Sequence, residues 1–106
     1  MTEKTLEERL DQVFGDHMDA ETAGDLEGTL ATMAPNPHIV NIPTMIGGQG
    51  ADGVRDFYAN RLIGQFFPPD VEFETISRTY SEERLVDELI ISFTHTTRID
   101  WMLPGL

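Results

Sequence analysis

The sequence predicts an α+β layer in which helices pack against one face of a curved antiparallel sheet. Two observations predict it. Apolar residues recur at helical spacing through most of the chain as far as Leu62, and two long strand-like runs follow, Val71 to Tyr80 and Leu85 to Trp101. Composition sets the scale: 106 residues, 40% hydrophobic and 25% charged, suit one folded domain over 1–106 with a modest single core.

The elements follow in order. Thr5-Leu6-Glu7-Glu8 reads as a capping box, with acidic residues favoured by the helix dipole. Leu6, Leu10, Val13, Phe14, His17 and Met18 then form one stripe of a helix facing a core, and Gly24 suits a left-handed stop. Asp25 caps a second, shorter helix with inner residues Leu26, Leu30 and Met33, ended by Pro35 and Pro37. His38-Ile39-Val40-Asn41-Ile42 is β-rich and bounded by Pro37 and Pro43, which predicts a short strand. Gly47-Gly48-Gln49-Gly50 predicts a mobile or tightly turned loop without the spacing or the Lys of a phosphate-binding loop. Val54, Phe57, Tyr58 and Leu62 line a third helix from Ala51 to about Leu62. After Pro68-Pro69, the two strands joined by Ser81-Glu82-Glu83-Arg84 make a hairpin.

Charge excludes several functions. A net charge of −12 opposes nucleic acid and anionic membrane surfaces. The absence of Cys removes disulfides, thiolate metal sites and cysteine nucleophiles, and is compatible with a reducing cytoplasm. Met1-Thr2-Glu3-Lys4-Thr5 leads into a charged amphipathic segment, so the expectation is neither signal peptide nor transmembrane span. His17, His38 and His95 lack the i, i+4 spacing of a helical zinc pair, no metal or cofactor is expected, and no Gly-x-Ser-x-Gly elbow occurs. Glu7-Glu8 and Glu82-Glu83 read as solvated.

Gly24-Asp25-Leu26-Glu27-Gly28, then Pro43, then Gly50-Ala51-Asp52-Gly53-Val54-Arg55-Asp56-Phe57-Tyr58-Ala59 resembles the NTF2-like superfamily, in particular its SnoaL-like polyketide cyclase and ketosteroid isomerase-like branches. The resemblance spans essentially the whole chain. It implies a cystatin-like cone, with three N-terminal helices on a curved antiparallel sheet, a deep apolar pocket and a homodimer. Members of the superfamily continue with two or more strands after the position of Trp101-Met102-Leu103-Pro104-Gly105. The expectation is therefore a domain lacking its last strands, either shortened or completed by another subunit, with an edge that invites pairing.

Candidate site residues come from both sources. His95 shares a strand face with Leu89, Ile91 and Phe93, where an unpaired imidazole is costly. It is expected as a pocket residue and proton carrier, the plainer alternative being a sheet-end histidine bonded to a neighbouring strand. Asp87, eight residues before it on the same face, is about 27 Å away at strand rise and too far to pair. By alignment on Gly24-Asp25, His17 takes the helix position where ketosteroid isomerases place an oxyanion-stabilising tyrosine. The resemblance thus implies a hydrogen bond to a developing enolate, against a helix histidine satisfied by a backbone carbonyl.

Asn41 falls at or next to the isomerases' carboxylate base. An amide cannot take a proton, so Asn41 reads as a hydrogen-bonding pocket residue or a strand-end cap. His38, a further substrate-binding candidate, lies on the opposite strand face. Because SnoaL-type cyclases use an aspartate as acid/base, the resemblance makes Asp100 a candidate for that role, the alternative being an exposed strand-end Asp; the family's aspartate often comes from the region after Gly105. Tyr58, Phe93 and Trp101 are expected as pocket walls, core or dimer contact.

The first functional expectation is a cofactor-independent acid/base enzyme that isomerises, cyclises or dehydrates a small apolar carbonyl compound. The alternative is a non-catalytic ligand-binding or dimerisation module, since this fold hosts many functions. A third is the larger part of a unit completed by another segment.

Overall fold

The computed structural model describes residues 4–106, and the start of the charged lead-in at Met1-Thr2-Glu3 lies outside the described residues. Helix α1, Leu6–Thr22, begins where Thr5 Oγ1 accepts the Glu8 N–H at 3.1 Å. It ends in a Schellman turn: Gly24, at φ +73°, donates to the Glu21 carbonyl at 3.1 Å, and Asp25 to the Ala20 carbonyl at 2.9 Å. Asp25 then caps α2, Leu26–Ala31, by accepting the Gly28 N–H at 2.9 Å. Leu26, Leu30 and Met33 pack on the core as the periodicity predicts. The α1 stripe is used only in part. Leu6 and Val13 are exposed, while Phe14, His17 and Met18 face inward.

Strand β1, His38–Asn41, pairs antiparallel with β2, Ile46–Gln49, with His38 opposite Gln49 and Asn41 opposite Ile46. This corrects the loop expected at Gly47-Gly48-Gln49-Gly50. The physical reason is close backbone approach rather than mobility. A Cβ on Gly47 would lie 1.9 Å from the Ile39 carbonyl oxygen, and one on Gly48 2.1 Å from that of Gly53. Glycine therefore lets β2 lie between β1 and helix α3, Gly50–Phe57. Tyr58–Leu62 continues α3 as a π-helical turn, closed by the Ile63 N–H donating to the Tyr58 carbonyl at 2.7 Å.

β3, Glu72–Tyr80, and β4, Leu85–Ser92, form an antiparallel hairpin whose register shifts between Thr75 and Ser77. The bulge moves the inward set from Phe73 and Thr75 to Arg78 and Tyr80, opposite Ile91, Leu89, Asp87 and Leu85. The expected strand from Leu85 to Trp101 is too long by its last part. Glu72 opposite Ser92 is the final rung, and beyond it the Thr94 N–H bonds to Asp70 at 3.1 and 3.0 Å instead of to a strand. With no ladder partner the backbone turns, and Ile99 and Trp101 enter the core.

The core is Val54, Phe57, Tyr58, Leu62, Phe66, Ile99 and Trp101. Trp101 meets Phe57 and Phe66 edge to face at 5.4 and 5.3 Å and donates from Nε1 to the Arg61 carbonyl at 3.0 Å. Thr44 Oγ1 donates to the Trp101 carbonyl at 2.7 Å, tying in the β1–β2 turn. The class is α+β, but one curved sheet is not formed: β1–β2 and β3–β4 are separate two-stranded sheets, with no closed barrel among the described residues. Side chains join the second hairpin to α1, and the molecule has extents of 50 × 30 × 25 Å.

The Gly48–Gly53 approach gives opposite signs from its two sides. Gly48→Ala is expected to destabilise by about 1–3 kcal/mol through overpacking. Gly53→Ala, whose Cβ would meet Gly48 backbone at an ordinary 3.5 Å, is expected to stabilise by about 0.5–1 kcal/mol as a helix substitution. Urea denaturation of both variants checks the pair.

Candidate functional site

A cavity of about 610 Å³ lies between α1, β1, α3, the inner face of the β3–β4 hairpin and the C-terminal turn. Phe14, Met18, Phe66, Phe67, Phe73 and Trp101 make most of it aromatic or apolar. His17, Glu21, Asn41, Tyr58 and Asp87 are its polar and ionisable groups. An adjoining cleft of about 330 Å³ opens between α1 and the hairpin and shares Phe14, Met18, Phe73, Asp87 and Leu89 with it.

His17 and Glu21 meet because residues four apart on a helix share a face. His17 Nε2 is 3.1 Å from Glu21 Oε2, and both side chains are largely withdrawn from solvent, at 19% and 9% exposure. The Tyr58 hydroxyl, brought by the start of the π-helical turn, lies 3.3 Å from the same Nε2. On the other side of the ring, His17 Nδ1 is 2.8 Å from Thr32 Oγ1, which donates to the Thr29 carbonyl at 2.7 Å. Burial, followed by the negative charge of Glu21 and a hydrogen bond to it, pushes the Tyr58 phenol well above its ordinary range. Tyr58 therefore stays a protonated donor at neutral pH.

At the hairpin end, Arg78 organises a second group. Its Nε donates to Asp87 Oδ1 at 2.9 Å and its Nη1 to Asp11 Oδ1 at 3.2 Å, while the guanidinium lies 4.9 Å from the centre of the Phe14 ring. The Tyr80 hydroxyl donates to the same Asp11 oxygen at 2.5 Å. This bond, ahead of that from Arg78, holds the Asp11 carboxyl below the usual carboxylate range and raises the Tyr80 phenol. Asp87, its side chain 4% exposed, is thus a paired charge.

The structure brings His17, Asn41, Tyr58 and Trp101 together on the cavity wall. Asn41 Nδ2 donates to the Ile46 carbonyl at 2.8 Å, which braces the β1–β2 turn. His95 is a correction: it follows the end of β4, is exposed, and stands edge-on to Phe93 at 6.5 Å. Phe93 packs on Phe66 at 5.1 Å and is not a cavity wall. His38 is exposed and lies outside the cavity. Asp100 is exposed too, 3.7 Å from Arg98. Sequence reasoning missed Glu21 and Thr32, although Glu21 stands at i+4 from His17.

Among the described residues, no group of three or more His, Asp or Glu is gathered as a metal ion would need, and no helix is long and apolar enough to cross a membrane. Compared with family models, curated proteins and solved structures, the chain matches none.

Tyr58 makes stability depend on pH. Its pKa is raised in the folded state, so its contribution is complete below the ordinary tyrosine pKa of about 10 and is lost as pH rises above that value. Tyr80 acts with the same sign. Denaturation midpoints are expected to fall above pH ~10, and Tyr58→Phe is expected to flatten the fall while costing about 0.5–1.5 kcal/mol at neutral pH. Equal slopes for the variant and the wild type would mean that Tyr58 ionises without a burial penalty.

Proposed function

We propose that the chain is a SnoaL-like domain of the NTF2-like superfamily that binds a small apolar carbonyl compound and moves a proton on it without a cofactor, as in isomerisation, cyclisation or dehydration. The observation that carries this reading is the His17–Glu21–Tyr58 cluster set into the wall of an apolar cavity. His17 and Glu21 are the proton carriers. Tyr58 donates to the oxygen on which charge develops, and its protonated phenol suits that role. Asn41 offers the rest of its amide to the ligand. Helices followed by a long hairpin, with the cavity between them, support the superfamily assignment.

A specific observation favours a second reading, a non-catalytic ligand-binding module. Each cavity carboxylate already has a partner, Glu21 with His17 and Asp87 with Arg78, as a passive polar lining would. A homodimer accompanies either reading, supported by the exposed Ile76, Val86 and Ile90 of the β3–β4 hairpin.

Deuterium exchange at the α-carbon of a bicyclic aryl ketone separates the two. Wild type is expected to exchange faster than buffer, with Glu21→Gln and His17→Gln each slower by roughly 10²–10⁴-fold and His95→Gln unchanged. Saturable ketone binding with exchange at the buffer rate would select the binding module.

A further inference from the structure

Thr32 touches the ring of His17 from behind and does not line the cavity. A threonine hydroxyl has one proton and two lone pairs. That proton is directed along the 2.7 Å bond to the carbonyl of Thr29, a fully buried residue within α2 whose carbonyl also accepts the Thr32 N–H at 3.2 Å. With the hydroxyl so oriented, Thr32 presents a lone pair toward His17 Nδ1, 2.8 Å away, which fits a ring that carries a hydrogen on Nδ1. Turning the hydroxyl to donate to Nδ1 instead would forfeit the bond to Thr29.

We propose that Thr32 is a positioning residue that fixes the tautomer of His17, so that His17 Nε2 and Glu21 Oε2 hold a single mobile proton between them at the cavity wall. With no proton in that 3.1 Å contact, two lone pairs would face each other. With one, the pair is imidazolium with carboxylate or imidazole with carboxylic acid. The sum of charge is zero in both, which the apolar walls favour. Other ionisable groups facing the cavity do not compete for the proton: Tyr58 holds its own, and Asp87 is engaged by Arg78.

The proposal rests on the acid/base reading for its use in chemistry. With the mobile proton on Nε2, the Glu21 carboxylate takes a proton from the carbon beside the ligand carbonyl. The C–H electron pair moves into a new C=C bond while the carbonyl electrons move onto oxygen, where Tyr58 donates. Return of that proton from Glu21 to another carbon of the enolate restores the starting enzyme, with no oxidant or reductant needed. Without a fixed Nδ1–H, the ring can place its hydrogen on Nε2 as a neutral imidazole and cease to be a cation beside Glu21.

Long-range ¹H–¹⁵N spectra of the full chain test the tautomer without reference to activity, with exposed His38 and His95 as internal reference signals. Wild-type His17 is expected to show a protonated Nδ1. Thr32→Val, which keeps the shape but offers no lone pair, is expected to shift the neutral ring toward the Nε2–H form, and Thr32→Ser to restore the wild-type pattern. A bare Nδ1 in wild type, or a Thr32→Val pattern identical to wild type in a folded protein, overturns the proposal. In the exchange assay Thr32→Val is expected to be about 10-fold slower, part of the roughly 10²-fold or more that a proton carrier contributes, with recovery in Thr32→Ser. Absence of exchange in wild type would overturn the acid/base reading alone, and the spectra would still decide the role of Thr32.

Discussion

Trp101 is the contact on which the remaining structure depends. Its ring closes the C-terminal turn onto Phe57 of α3 and Phe66 of the segment after the π-helical turn, its N–H reaches the Arg61 carbonyl, and its own carbonyl receives the Thr44 hydroxyl. Three separate parts of the chain are thereby joined at one residue. Burying a tryptophan almost completely is worth about 4–6 kcal/mol at most, taking 150–250 Å² at 25 cal/mol/Å². That is a large share of the stability of a small domain, and the same ring is a wall of the cavity. Core and site are therefore one construction around α3.

The helices were legible because their signals are local. Thr5, Gly24 and Asp25 act on amides and carbonyls within a few residues of themselves. The two errors in the strands have a non-local cause. Gly47 and Gly48 have poor strand propensity, and only contact with Ile39 and Gly53 shows why glycine is required there. Past Ser92, apolar alternation continues through Phe93, yet a strand needs a hydrogen-bonding partner and β3 stops opposite Ser92. Alternation in one segment carries no information about where its neighbour ends.

The site was half legible for related reasons. His17 and Tyr58 lie on apolar helix stripes, so periodicity finds them. Glu21 reads as one more carboxylate in a chain with nineteen Asp and Glu, and its burial becomes apparent only when Tyr58 arrives from α3. His95 stands outside the cavity because the strand whose alternation it continues ends at Ser92. Spacing on one helix identifies which groups can meet; the packing of a second element decides which of them loses water.

Compensated charge is what makes such a cavity tenable in so acidic a chain. Glu21 and Asp87 both border apolar space, where an unpaired carboxylate would be strongly disfavoured. The two are compensated differently. Asp87 meets a guanidinium that cannot give up its proton, and Arg78 also reaches Asp11 on α1, so this pair is structural and holds the hairpin over the helix. Glu21 meets the imidazole of His17, 3.1 Å away, on its own helix. Of the two carboxylates, only Asp87 is held by a permanent cation; Glu21 is held by a histidine ring and the Tyr58 hydroxyl beside it. The net charge of −12 disfavours anionic ligands over the whole surface.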